Sequence, residues 1–121
     1  PWWQVDLGEV MPIGRIVVFN RIDYEPRLHA ADNLMILVSE DGKRWTKSYD
    51  NAGRHFGGIR GAAPLEAKFP GNGVPARFVR LQLPDFKPEV LHLDEVEVYR
   101  ADDPKTNVAL RQPAEQSSIT R

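Results

Sequence analysis

A short stretch near the amino end concentrates the residue types that hold hydroxyl-rich ligands. Within residues 21–29 it carries two arginines, a carboxylate, an aromatic ring and a histidine: Arg21, Arg27, Asp23, Tyr24 and His29. Sugars present hydroxyls that donate and accept hydrogen bonds, together with apolar C–H faces. The arginines would donate to hydroxyls, Asp23 would orient an arginine, Tyr24 would stack on a ring, and His29 would donate or accept. This composition predicts a sugar-binding loop.

The same charges have a structural interpretation, in which Arg21–Asp23 and Glu25–Arg27 are ion pairs that pin the loop. Exposed ion pairs stabilise a fold by at most ~1 kcal/mol, so stability is a weak reason to concentrate them here. His55 lies in a second, glycine-rich stretch and is a further candidate contact, although a solvated loop histidine is the commoner case. Both interpretations stay open at this point.

The sequence carries no recognisable catalytic motif. It has no Ser-His-Asp order, no His-Glu-x-x-His helix and no phosphate-binding glycine loop before a helix. Its lack of cysteine excludes thiolate catalysis and cysteine-ligated zinc. We therefore expect a binding module and not an enzyme.

The charge balance narrows the class of partner. Sixteen basic residues against seventeen acidic ones leave a net charge of -1, so no long-range field attracts nucleic acid or an anionic membrane. No apolar run is long enough to cross a bilayer. The predicted partner is a glycan, and the alternative is a protein-contact or adhesion surface without sugar binding. The composition does not determine the compartment.

The elements that would position these residues are predicted to be short β-strands. Nine glycines and ten prolines divide the chain, and no segment has the period of a long amphipathic helix. Strands are expected over residues 3–7, 13–19, 34–38, 65–69, 77–83 and 91–99, with residues 13–19 buried on both faces. Asp41-Gly42 predicts a hairpin turn, and a slip in the apolar alternation near Asp94 and Glu95 predicts a β-bulge. Six or more such strands indicate a sandwich or jelly roll.

The three tryptophans are expected to differ in exposure. Aromatic residues at alternating strand positions are usually core residues, so Trp3 and Trp45 are predicted to pack inside the sandwich. Trp2 lies on the opposite strand face from Trp3 and is predicted to be the more open of the three.

Five phrases of the sequence, taken in order and spacing, resemble the discoidin or coagulation factor V and VIII type C domain family, which is galactose-binding-domain-like. They are residues 2–8 (WWQVDLG), 13–21 (IGRIVVFNR), 39–45 (SEDGKRW), 76–82 (ARFVRLQ) and 93–99 (LDEVEVY). The resemblance implies an all-β jelly-roll β-sandwich of about eight antiparallel strands, whose loops at one end bind glycans, lipid headgroups or proteins. It also favours an extracellular or cell-surface location.

Residues 20–28 are, in addition, similar in part to the fucose-binding F-type lectins. The lectin motif places two basic residues around an Arg-x-Asp, and Arg21, Asp23 and Arg27 match it in residue type. The spacing differs, because three residues separate Asp23 from Arg27 where the lectins have four. Tyr24-Glu25 stand where the lectins carry vicinal cysteines. This similarity implies a fucose- or galactose-like glycan as the partner.

Many members of the family hold a structural calcium through a glutamate near the start of the last strand. Glu95, preceded by Asp94, matches that glutamate, so the resemblance implies a calcium site in a full-length domain. Calcium takes six to eight oxygen ligands. The family's other ligands come from a loop that would lie upstream of Pro1, so no cofactor is predicted for this chain.

The carboxyl end resembles the phrase that opens a domain of the same family. We therefore divide the chain into a discoidin-like domain at 1–101 that lacks its usual first segment, a linker at 102–106 and an opening-strand-like segment at 107–121. Val108 and Leu110 are expected to enter the sandwich, in the same molecule or swapped into a neighbour. The alternative is a tandem array that is cut here, in which case the final residues are a disordered stub.

Overall fold

A computed structural model describes residues 2–20, 32–54, 56, 63–84 and 93–117. These residues contain strands and no helix, and so no helix that could span a bilayer. The strands are β1 (Trp2–Asn20), β2 (Met35–Ser39), β3 (Thr46–Asp50), β4 (Leu65–Lys68), β5 (Val74–Gln82), β6 (Leu93–Arg100), β7 (Asp103–Asn107) and β8 (Ala114–Gln116). All pairings are antiparallel, which confirms the predicted all-β sandwich.

Strand β1 belongs to both layers of the sandwich. Its first half pairs with β5 through residues 2–13 and with β8 through residues 3–5. Its second half pairs with β4 through residues 15–18 and with β6 through residues 13–20. One layer therefore has the order β3-β2-β5-β1-β8, and the other has the order β4-β1-β6-β7.

The two halves of β1 are joined by a bend. A straight strand of 19 residues would be about 60 Å long, more than the diameter of a domain of this size. The register with β5 shifts between Asp6 and Met11, where Gly8 has a φ of 94° that glycine adopts without strain. Val5 and Ile16, one from each half, lie in the same core cluster. The sequence predicted two separate strands here, and the structure has one that passes from layer to layer.

The core follows the alternation of side chains along each strand. Val79, Leu81 and Leu83, predicted to share one face, are all buried in it. The predicted burial of residues 13–19 on both faces is confirmed for residues 16–18 only: Ile16 and Val18 lie in the core cluster, and Val17 is buried outside it. Arg15 and Phe19 are partly exposed.

The predicted hairpin and bulge are both present. Strands β2 and β3 pair across a turn in which Gly42 has a φ of 80°. The Asp41 carboxylate accepts hydrogen bonds from the backbone N–H groups of Arg44 and Lys43 in this turn, which lower the pKa of Asp41 to about 2. In the β1–β6 pairing, Phe19 faces Glu95 and Asn20 faces Leu93, so Asp94 is the extra residue of the bulge.

The carboxyl-terminal strands cover edges of both layers in the same molecule. Strand β7, residues 103–107, lies beside β6 and includes residues 103–106 of the predicted linker. Strand β8 lies along β1, where the Trp2 N–H donates to Ser117 Oγ and the Ser117 N–H donates to the Trp2 carbonyl, each at 2.9 Å. Val108 packs against the core as expected. The expectation is wrong for Leu110, which is 66% exposed because the chain turns there.

Candidate functional site

Three long connections leave and re-enter the sandwich at one end. In the first layer, Trp2 and Met35 both face Gln82, and Met35 also faces Asp50, so these strand ends form one row. In the second layer, the ends of β1, β4 and β6 form another row, at Asn20, Leu65 and Leu93. The connections 21–34, 51–64 and 83–92 each join the first row to the second. We call this end of the sandwich the loop end.

The residues predicted to bind a ligand fall on two of these connections. Arg21, Asp23, Tyr24, Arg27 and His29 belong to the connection between Asn20 and Met35, and all five lie outside the described residues. The connection between Asp50 and Leu65 carries His55, which also lies outside them. The sequence therefore assigns its candidate contacts to segments that start and finish at the loop end.

A buried asparagine joins the stems of these two connections. Asn51 is 4% exposed, and its side-chain amide donates to the carbonyl oxygens of Asp32, at 3.0 Å, and of Arg54. Its backbone N–H donates to the Leu34 carbonyl, and the Gly53 N–H donates to the Asp32 carbonyl, both at 3.0 Å. Since Asp32 and Leu34 close one connection and Asn51 opens the other, these bonds hold the two stems at a set separation.

A phenol and a guanidinium extend this network to the surface. The Tyr49 hydroxyl donates to Asn51 Oδ1 at 3.2 Å and accepts from Arg54 Nη2 at 3.0 Å. Arg54 Nε donates to the Asn51 carbonyl at 3.3 Å. Tyr49 is partly buried, whereas Arg54 is exposed. The network thus presents a positively charged, multiply donating group to solvent at the loop end.

A second polar group borders the loop end on the outer face of the first layer. Arg80 Cζ lies 4.4 Å from the Trp2 ring centroid and 4.2 Å from the Trp45 ring centroid, so the guanidinium is stacked between two indoles. Arg80 Nε donates to Gln4 Oε1 at 2.9 Å. Burial lowers the pKa of Arg80, and the negative charge of Glu115 acts in the opposite direction.

The tryptophans are not distributed between the core and the outer face as the sequence predicted. Trp3 packs against the core, as expected. Trp45 packs on the outer face instead, stacked on Arg80 and edge-on to Phe78 with ring centroids 6.4 Å apart. The prediction for Trp45 was wrong because it follows the hairpin turn, before β3 begins, where strand alternation no longer applies. Trp2 is half-buried on this outer face.

The calcium prediction concerns the start of β6. Glu95 is exposed on this strand, and the Asp94 side chain lies outside the described part of the structure. Among the described residues, no group of three or more His, Asp or Glu side chains could hold a metal ion. A calcium role for Glu95 and Asp94 stays a prediction.

Sequence reasoning did not single out Asn51, Arg54 or Arg80. The sequence could have placed Arg80, because it lies between two apolar core positions of a strand. A long cationic side chain at such a position must lie on the outer face of the sheet. Asn51 carries no such signal, since its partners Asp32 and Leu34 lie in another connection. Arg54 is distinguished only by its contacts with Tyr49 and Asn51, which the sequence does not specify.

Comparisons with known proteins agree with this architecture. A family model described as F5/8 type C domain matches residues 1–96. Over 82 residues the chain is 39% identical to the polysaccharide lyase 8 family protein HylA of Enterococcus faecalis, a match that covers 67% of this chain and 5% of that protein.

Two solved structures share the fold. They are the lectin domain of lectinolysin in complex with Lewis b antigen and a mutant of that domain in complex with Lewis b. Each aligns with a TM-score of 0.62 at 32% identity, over 83% of this chain and 64% of the other. The chain thus spans less than two thirds of the lectin chains and a small fraction of the lyase.

Proposed function

The chain belongs to the F5/8 type C domain family, and on that premise we propose that it is a non-catalytic carbohydrate-binding module whose ligand sits at the loop end. The observation that carries the proposal is the convergence of the three long connections between the same two rows of strand ends. Loops on a rigid sandwich are the usual place for binding residues. The lectin complexes support the choice of a glycan as the ligand.

In this proposal Arg21, Asp23, Tyr24, Arg27, His29 and His55 make the contacts. The two arginines donate to hydroxyls, Tyr24 stacks on the apolar face of the sugar, and Asp23 orients an arginine. The buried Asn51 network supports them, because it holds the stems of both connections that carry them. Fucose- or galactose-like sugars are the proposed ligands.

The module is proposed to act within a larger or tandem-repeat protein. Support comes from the lyase match, which involves 5% of that protein's length. A shallow site for one sugar unit makes few contacts, so we expect a dissociation constant of about 10 μM to 1 mM for it. Several copies, in tandem or in a strand-swapped assembly, would then raise the overall affinity.

The experiment is a titration of the protein with fucose, galactose and the Lewis b oligosaccharide, followed by NMR. Replacing Arg21 or Arg27 by Ala should abolish binding and leave the melting temperature nearly unchanged. Arg44→Ala is the matched control, since Arg44 is an exposed arginine in the β2–β3 turn, away from the loop end. No binding of any of the three sugars by the unmodified protein would overturn the proposal. A large loss of stability in Arg21→Ala or Arg27→Ala would identify structural ion pairs instead.

A further inference from the structure

We propose that Arg54 is a further ligand-contacting residue of this site, which donates hydrogen bonds to neighbouring hydroxyls of the bound sugar; this inference rests on the proposed function. Neither its sequence context nor the family resemblance singles it out. Its position, its fixed geometry and its exposure carry the proposal.

The backbone of Arg54 is anchored on both sides. Its N–H donates to the Asn51 carbonyl at 3.1 Å, and its carbonyl accepts from the buried Asn51 amide. Two residues later, Phe56 is 4% exposed and belongs to the core cluster. Arg54 therefore starts from a fixed Cα at the loop end, in the connection that goes on to His55.

The guanidinium is also held in place. Tyr49 Oη accepts from Nη2 at 3.0 Å, and the Asn51 carbonyl accepts from Nε at 3.3 Å. A guanidinium carries five N–H donors in a planar fork, more than these two bonds use. The side chain is thus oriented and still has donors for a pair of adjacent hydroxyls.

This arrangement differs from that of the other described arginines with fixed side chains. Arg15, Arg77 and Arg100 are each committed to a carboxylate, at 3.1, 2.8 and 2.8 Å. Arg80 has no such ion pair among the described residues, but its guanidinium is stacked between the Trp2 and Trp45 rings. Arg54 forms no ion pair with any carboxylate in the described ranges. Its fixed partners are a phenol and a carbonyl, which leave its charge uncompensated by a described group. A flexible exposed arginine loses rotamer freedom when it binds, and a pre-oriented one loses less.

The first test compares Arg54→Ala with the unmodified protein in titrations with the Lewis b oligosaccharide, fucose and galactose. Loss of hydrogen bonds from a charged donor should raise the dissociation constant about tenfold or more. Arg54→Lys should recover only part of the affinity, because an ammonium lacks the planar fork. Tyr49→Phe removes the hydroxyl that orients Arg54 and that also donates to Asn51, and it should raise the dissociation constant about threefold. Arg44→Ala, the control, should bind like the unmodified protein.

The second test needs no substitution. The Nε–H signal of Arg54 should shift in two-dimensional NMR spectra of the unmodified protein as the sugar is added, and a merely structural arginine would leave it in place. If the unmodified protein binds while Arg54→Ala binds equally well, or the Arg54 signal stays fixed at saturation, this inference is wrong and the proposed function stands. If the unmodified protein binds none of the sugars, both are wrong.

Discussion

Replacement of Asn51 by Ala tests whether the described network holds the loop end together. The side chain is 4% exposed, donates two hydrogen bonds through its amide and accepts one from Tyr49. Alanine removes all three, and the Arg54 carbonyl loses its amide donor. The Asp32 carbonyl keeps the bond from the Gly53 N–H.

The expected effect follows from the usual net value of a hydrogen bond. At about 1 kcal/mol for each bond, with a further penalty for a polar group left without a partner, Asn51→Ala should lower the free energy of unfolding by about 2–4 kcal/mol. For a domain of this size each kcal/mol lowers the melting temperature by about 3–6 °C, so we expect a fall of about 6–24 °C. Glycan affinity should fall as well, because the two stems lose their common anchor.

Urea unfolding followed by tryptophan fluorescence measures this free energy, since Trp2 and Trp45 lie on the folded sheet against Arg80. Asn33→Ala is the control, because Asn33 is an exposed asparagine in the stem to which Asn51 bonds, and its replacement should change stability by less than about 0.5 kcal/mol. A loss below about 1 kcal/mol for Asn51→Ala, or equal losses for both variants, would refute the reasoning.

Two other measurements test the β2–β3 turn and the predicted calcium site. The hydrogen bonds to Asp41 lower its pKa from the ordinary value of 3.8 to about 2. They therefore stabilise the folded turn fully at a pH above 3.8, and this contribution is lost as the pH falls through about 2. An NMR titration of the Asp41 carboxyl with its midpoint at 3.8 would contradict the turn geometry. EDTA or added calcium should shift the melting temperature by no more than about 1 °C, because a ligand that does not bind the folded state cannot stabilise it. A shift of many degrees would establish a calcium site with ligands besides Glu95.

The sequence predicts the chemistry of the candidate site, and it does not predict the hydrogen bonds that join the stems of its connections. Arginine, carboxylate and aromatic residues grouped over 21–29 indicate a hydroxyl-bearing ligand by residue type alone. Asn51 is bonded to Asp32, in the stem that follows that stretch, although Asn51 is distant in the sequence and belongs to a different connection. The stems of two connections come together only when the strands that they adjoin are neighbours in a sheet. The order of the strands is set by the whole fold and cannot be deduced from either connection.

By itself the sequence determined the features that depend on neighbours along the chain. Alternating apolar residues place Val79 and Leu81 in the core, Asp41-Gly42 forms the hairpin turn, and the slipped pattern at Asp94 is a bulge. Only the tertiary structure decided that β1 runs through both layers, that Trp45 packs on the outer face, and that Asn51 bonds to the other stem at Asp32. The physical reason is that alternation specifies which face of a strand a side chain occupies. The partner that it meets there is set by pairing between strands far apart in the sequence.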